Sequence, residues 1–173
     1  KRDGWDDFMT DMENADSHLE RVETKYYEPM IVYFSSGTTG NPKMAMHAHT
    51  YALAHLTTAK YWHDVNADSI HLTIADTGWG KAVWGKLYGE MFMESCVFVY
   101  DYDKFHAAEI LSILEKYKIT SLCCPPTMFR FMLQEDVSSY DLSALKYCTI
   151  AGEALNPDVF NKWYEETLSL IHI

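Results

Sequence analysis

Positive charge is scarce in this sequence: 14 lysines and arginines stand against 25 aspartates and glutamates, a formal charge of −11. That balance leaves no basic face for a nucleic-acid partner, and none is expected. Cysteine is scarce as well, with four in 173 residues and no C-x-x-C pair, which removes zinc-ribbon and thioredoxin-like chemistry. Cys96 precedes Val97-Phe98-Val99, Cys123 and Cys124 follow Ser121-Leu122, and Cys148 sits between Tyr147 and Thr149. All four read as small core residues whose free thiols suit a reducing compartment, the cytoplasm by default. No apolar run approaches the ~20 residues that cross a bilayer, and the N-terminus has no secretory h-region; a soluble protein without a membrane span is expected. What is present is ordinary globular material, 48% hydrophobic and 14% aromatic. One domain with a real core follows, burying roughly two-thirds of its unfolded surface.

The most distinctive stretch is Phe34 to Lys43, FSSGTTGNPK, after the apolar run Met30-Ile31-Val32-Tyr33-Phe34. Two glycines, two serines and two threonines ahead of one lysine suit an anion. Small residues let backbone N–H groups approach phosphate oxygens, hydroxyls add donors, and Lys43 adds a compact positive charge. Pro42 stands where the kinase and GTPase phosphate loop needs its second glycine, and Met44 follows the lysine, so the loop is of another kind.

Along the chain, residues 1–29 form an acidic, aromatic lead-in in which Trp5, Phe8, Met9 and Met12 recur at helical spacing. Strands are expected at 30–34, 70–75, 96–100, 119–124 and 145–151. Helices are expected at 50–62, around Trp84, Leu87, Tyr88 and Met91, around Ile110, Ile113, Leu114 and Tyr117, after Pro125-Pro126, and after Asn156-Pro157. Thr127 is placed to cap the helix whose core face is Met128, Phe131 and Met132; Phe160, Trp163, Tyr164 and Thr167 define the face of the last helix. Gly85 and Gly89 share a helix face, which calls for close approach to a neighbouring backbone. Strands alternating with helices specify a layered α/β fold with a mainly parallel sheet, in which ligands bind beyond the carboxyl ends of the strands. Loops 35–43, 76–80, 124–127 and 151–154 are therefore expected on one face. His47 and His49, without a Cys, Asp or Glu partner at metal spacing, do not make a metal site, and none is expected.

From about Tyr27 to about Thr167, SSGTTGNPK, DTGW, CPPT and AGEALNP resemble, in order, the motifs of the AMP-forming adenylate ligases, and most closely the acyl-CoA synthetases of acetate-sized to medium-chain acids. The resemblance implies activation of a carboxylic acid by ATP with Mg²⁺, giving acyl-AMP and pyrophosphate, then transfer to coenzyme A. It implies phosphate contacts from Ser35, Ser36, Gly37, Thr38, Thr39, Gly40 and Lys43. Adenine contacts fall to Gly152, Glu153 and Ala154, with Glu153 as a helix-terminus anchor the alternative. An acyl and coenzyme A side is implied at Thr77, Gly78, Trp79, Cys124, Thr127 and Phe129.

The pattern would run on into a YGQTE-like segment with Mg²⁺-contacting residues and a C-terminal domain. Residues 168–173 depart from it, are expected to lie outside the 30–167 adenylation domain, and raise the expectation of a non-native tail. An inactive fragment with an exposed apolar edge is expected. Two other readings stay open: an aryl-acid or carrier-protein adenylation enzyme, and a non-catalytic nucleotide-binding module.

Overall fold

The computed structural model describes residues 4–35 and 40–172. A short helix α1 (Phe8–Asn14) is capped by Asp7, whose carboxylate accepts from the Thr10 N–H, and buries none of its residues. The expected amphipathic stripe of Trp5, Phe8, Met9 and Met12 is therefore there in spacing but faces solvent. Strands β1 (Pro29–Ser35) and β2 (Lys43–Ala48) then pair antiparallel as a separate two-stranded sheet. This corrects the expected strand–loop–helix unit: the Gly/Ser/Thr loop joins two strands of a hairpin, and β1 does not enter the parallel sheet. Period-two alternation explains the hairpin. Ile31, Tyr33 and His47 turn one face inward, while Val32, Phe34, Met44 and Met46 lie exposed on the other.

Next come α2 (Thr50–Tyr61), β3 (Ile70–Thr73), α3 (Gly80–Lys86), α4 (Tyr88–Phe92), β4 (Cys96–Phe98), α5 (Ala107–Lys116), β5 (Ser121–Cys123), α6 (Pro126–Met132), β6 (Tyr147–Thr149), α7 (Pro157–Thr167) and β7 (Leu170–His172). The single helix expected near residue 88 is two, broken at Leu87, which has a non-helical φ of −122° and ψ of −73°. All five strands β3–β7 are parallel, in the order β4-β3-β5-β6-β7. The edge strand β7 comes from the stretch expected to lie outside the pattern, and pairs Leu170, Ile171 and His172 with β6 in regular register.

Strand order explains where the helices go. From β3 the chain steps to β4 on one side, whereas β4 to β5, β5 to β6 and β6 to β7 all step the other way. Right-handed crossovers then put α3 and α4 on one face and α5, α6 and α7 on the opposite one. The packing agrees: α2, α3 and α4 pack together, as do α5, α6 and α7. The two sheet faces differ in chemistry. One row, Leu72, Leu122, Cys148 and Ile171, faces the apolar core built with Ile110, Leu114, Phe129, Met132 and Trp163. The alternate positions His71, Thr73, Ser121 and Thr149 are buried on the other side.

Local signals set the helix ends. Asn156 accepts a hydrogen bond from the Asp158 N–H at 2.8 Å, Pro157 opens α7, and Leu168 closes it in the left-handed region at φ 56°. For α6 the cap is Pro125, not Thr127, so the helix begins two residues earlier than expected. Its buried face shifts accordingly to Pro126, Phe129 and Met132, and Phe131 is exposed. Cys123, Cys124 and Cys148 are buried as expected, but Cys96 at the start of the edge strand β4 is exposed.

Candidate functional site

Strands β3 and β5 lie side by side, yet the chain leaves them toward opposite faces, which opens a crevice at their carboxyl ends. The ladder runs on past both strands, with the Ile74 N–H donating to the Cys123 carbonyl at 2.8 Å and Cys124 N–H to Thr149 carbonyl at 3.2 Å. Beyond it the Asp76 carboxylate accepts from the Gly78 N–H at 2.7 Å and the Trp79 N–H closes on the Asp76 carbonyl at 3.1 Å. That turn throws Trp79 outward, 72% exposed. A cleft of about 300 Å³ results, walled by Ile74, Ala75, Asp76, Trp79, Lys81, Tyr102, Pro125 and Met128. A neighbouring hollow of about 460 Å³ takes in Thr77, Lys86, Tyr100 and Asp101. Thr77 and Trp79 thus line adjoining hollows, while Gly78 belongs to the turn between them, where a Cβ would stand 3.0 Å from the Asp76 carboxylate.

The electrostatics of the cleft centre on two lysines that sequence reasoning passed over. Lys81 Nζ is buried without a well-aligned hydrogen bond among the described residues, and the polar group it acts on is the Cys123 thiol. Lys86 Nζ donates to the Ala75 carbonyl at 2.8 Å. Burial pushes the Lys86 pKa down, Asp76 opposes this, and Lys81 adds to it. Burial, then Cys124 and Asp76, push the Tyr102 hydroxyl up. Three thiols are raised mainly by burial, Cys148 to about 12, Cys123 and Cys124 in the same direction. They stay protonated and are packing groups, not nucleophiles.

The loops after β5 and β6 are tied directly. Thr127 Oγ1 donates to Glu153 Oε2 at 2.6 Å, Arg130 Nη2 donates to Thr127 Oγ1 at 2.7 Å, and Arg130 Nη2 stands 3.9 Å from Glu153 Oε2. Glu153 therefore spans to the neighbouring loop, and the α7 N-terminus is served by Asn156. Gly152 adopts φ +95° with open space where a side chain would be, and Ala154 is exposed beside it. Cys124 and Phe129 correct the expected acyl wall: both are fully buried in the core, Phe129 edge-on to Trp163 at 4.9 Å. Met128, expected in the core, lines the cleft in their place, because the helix starts two residues early.

Of the anion loop, Ser35, Gly40 and Lys43 are described; Ser36, Gly37, Thr38 and Thr39 lie outside the described residues. Ser35 and Lys43 are the last register pair of the hairpin, both exposed, so they bracket the loop. Tyr33 anchors the hairpin beside the Trp79 turn, its ring 3.4 Å from where a Cβ on Gly80 would stand. Burial, then the adjacent Tyr51, push the Tyr33 pKa up to about 12. His47 lies tilted against Tyr51, ring centroids 4.2 Å apart, within an aromatic group that includes Tyr33, His55 and Tyr88.

Loops 76–80, 124–127 and 151–154 thus converge on one crevice, with the hairpin beside it. The missed residues had a weak signal at most. Lys81 stands two positions after Trp79, but nothing in spacing marks its Nζ as buried; Tyr102 and Arg130 reach the site only through folding.

The family described as AMP-binding enzyme matches residues 2–173. The mitochondrial acyl-coenzyme A synthetase ACSM5 of Homo sapiens is 40% identical over 167 residues, 96% of this chain and 29% of that protein. ACSM3 of Mus musculus, also a mitochondrial acyl-coenzyme A synthetase, is 37% identical over 167 residues, with the same coverage. The chain therefore spans about 29% of the length of these relatives. Among solved structures, the anthranilate CoA ligase AuaEII in complex with anthranoyl-AMP superposes with a TM-score of 0.83 at 25% identity, covering 99% of this chain and 33% of that one. The Brucella canis acyl-CoA synthetase shares the fold, with a TM-score of 0.87 at 24% identity over 99% of this chain and 32% of that one. With its crevice, its ordered loops and a match along nearly its whole length, the chain belongs to the AMP-binding enzyme family.

Proposed function

We propose that this chain is the part of an acid–CoA ligase that holds the carboxylic acid and the ATP phosphates. In the first step an acid oxygen attacks the α-phosphorus of ATP, the bond to the bridging oxygen breaks, and acyl-AMP and pyrophosphate form. In the second step the coenzyme A sulfur attacks the acyl carbon and AMP leaves. The observation that carries this reading is the cleft itself: walls of Ile74, Trp79, Pro125 and Met128 with the buried Lys81 side chain among them, near the Cys123 thiol, and the Asp76 carboxylate already engaged by the Gly78 N–H. An apolar pocket with one buried cation suits a carboxylate on a short or medium apolar tail.

The hairpin supports the phosphate assignment, since Ser35 and Lys43 flank the Gly/Ser/Thr loop. Their hydroxyl and ammonium would offset charge on the leaving pyrophosphate. Mg²⁺, carried in with ATP, would neutralise further phosphate charge. The Thr127–Glu153–Arg130 link and the open φ +95° turn at Gly152 support an adenine-side role for the loop after β6. Three buried free thiols support a reducing compartment such as the cytoplasm. An aryl acid is a second reading, favoured by Trp79 and Tyr102 in the cleft wall.

The test is pyrophosphate release from ATP by a full-length family member carrying this segment, against acids from acetate to decanoate plus benzoate and anthranilate, with and without coenzyme A. Removing a charge-assisted contact costs about 1.5–3 kcal/mol, so Lys81→Met should raise the KM for the acid about tenfold or more and leave that for ATP nearly unchanged. Lys43→Ala should do the reverse. Equal effects of Lys81→Met on both substrates would refute the carboxylate assignment, and no release with any acid would refute ligase chemistry.

A further inference from the structure

On the polar face of the sheet, within electrostatic reach of Lys81, His63 just after α2, His71 on β3 and Glu90 on α4 meet with no solvent exposure at all. His63 Nδ1 stands 2.9 Å from His71 Nε2 and 3.2 Å from Glu90 Oε1, and His71 Nε2 is 3.9 Å from that same oxygen. Tracing the protons defines the state of His71. The Ser121 hydroxyl donates to the His63 carbonyl at 3.0 Å, so facing His71 Nδ1 at 3.0 Å it accepts. His71 Nδ1 thus carries a proton, and in that neutral tautomer Nε2 is a bare lone pair.

Around that lone pair the neighbours are lone pairs too. Thr73 Oγ1, 2.8 Å away, has committed its own proton to the Gly85 carbonyl. Glu90 has neither carboxylate oxygen in a hydrogen bond among the described residues, the short approach of His63 being misaligned for one. A single proton on His63 Nδ1 answers one of these groups and leaves the carboxylate bare. A buried carboxylate that accepts no hydrogen bond is unfavourable.

The geometry points to a divalent transition-metal site, zinc by preference, with His63 Nδ1, His71 Nε2 and Glu90 Oε1 as ligands. Donors held at about 2.0–2.1 Å in a tetrahedron stand roughly 3.3 Å apart, the mean of the spacing found among these three. Two imidazoles and one carboxylate form a donor set that zinc accepts, and one cation would satisfy all three at once and offset the buried negative charge. For His71 the second layer fits as well: His71 Nδ1–H to Ser121 to the His63 carbonyl is the outer hydrogen bonding that fixes a metal-bound imidazole, whereas His63 Nε2 is buried without a partner among the described residues. Thr73 Oγ1 lies beside them, 2.8 Å from His71 Nε2. With no opening to solvent, the site would be structural, clamping α2, β3 and α4 beneath the Trp79 turn. It rests on none of the ligase assignment, and sequence spacing hid it, because its three ligands come from a loop, a strand and a helix.

The experiment loads the purified protein with Zn²⁺ or Co²⁺, desalts it, and reads metal content, the visible absorption of bound Co²⁺, and the melting temperature before and after chelation. About one equivalent per chain is expected, with tetrahedral cobalt absorption and a melting temperature that falls on chelation. Glu90→Gln keeps the volume but should weaken binding at least about a hundredfold. Its circular dichroism shows whether it folds; if it does not, the wild-type cobalt spectrum and chelation shift decide alone. Wild-type protein that keeps no metal, or a folded Glu90→Gln that binds as tightly as wild type through its surface histidines, overturns the site. In that case the triad holds protons only.

Discussion

Replacing Gly89 with alanine sets two physical effects against each other. Gly89 is the second residue of α4, and on helix propensity alone the change should stabilise by up to about 1 kcal/mol. In the folded protein the added Cβ would stand 2.5 Å from the His55 carbonyl oxygen and 2.6 Å from Ala59 Cβ, both on α2. Restoring normal contact requires α2 and α4 to part by about 1 Å. The obstacle is backbone of a twelve-residue helix, so it cannot rotate aside as a side chain would, and overpacking of this kind costs about 1–3 kcal/mol. Taking the upper part of that range, the net loss is about 2 kcal/mol, or roughly 4–8 °C in melting temperature for a chain of this size. Urea and thermal unfolding followed by circular dichroism measure it. Gly85→Ala is the internal comparison: its Cβ would meet the Thr73 side chain at 3.0–3.1 Å, so the loss should be smaller. A melting temperature for Gly89→Ala equal to or above that of the parent would refute close α2–α4 packing.

Two further outcomes are expected. Asn156→Ala removes the α7 cap and should cost about 1 kcal/mol, whereas Asn156→Asp should be nearly neutral; equal losses in urea unfolding would discount the cap. The Lys118 ammonium at 2.6 Å, with Ser143, holds the Asp141 carboxyl well below the usual carboxylate range. Because its folded-state value is the lower one, the stabilisation is complete above about pH 4 and is lost as the pH falls through the folded-state value. Asp141→Asn should flatten that part of the acid limb in urea midpoints measured from about pH 5 downward; an unchanged limb would show that the exposed pair contributes nothing.

Most of the elements were legible from periodicity and punctuation. The stripe Ile110, Ile113 and Leu114, the Asn156-Pro157 start and the Pro125-Pro126 stop each act through short-range sterics and hydrogen bonds that neighbours in the chain supply. Errors fell where local signals were balanced. Lys43–Ala48 carries no turn residue to separate strand from helix, so only pairing with β1 shows it as a strand. Thr127 and Pro125 are both competent at a helix start, and the two-residue shift between them moved Phe129 into the core and Met128 into the cleft.

The anion loop, the α/β class and family membership could be argued from residue order alone, because small residues, punctuation and period are properties of adjacent positions. Strand order could not. Whether the chain steps left or right from β3 is settled by packing between segments far apart in sequence, and that step both opens the crevice and divides the sheet into an apolar and a polar face. The buried Lys81 ammonium and the His63–His71–Glu90 triad follow from it, since burial and convergence arise only when distant elements close on one another.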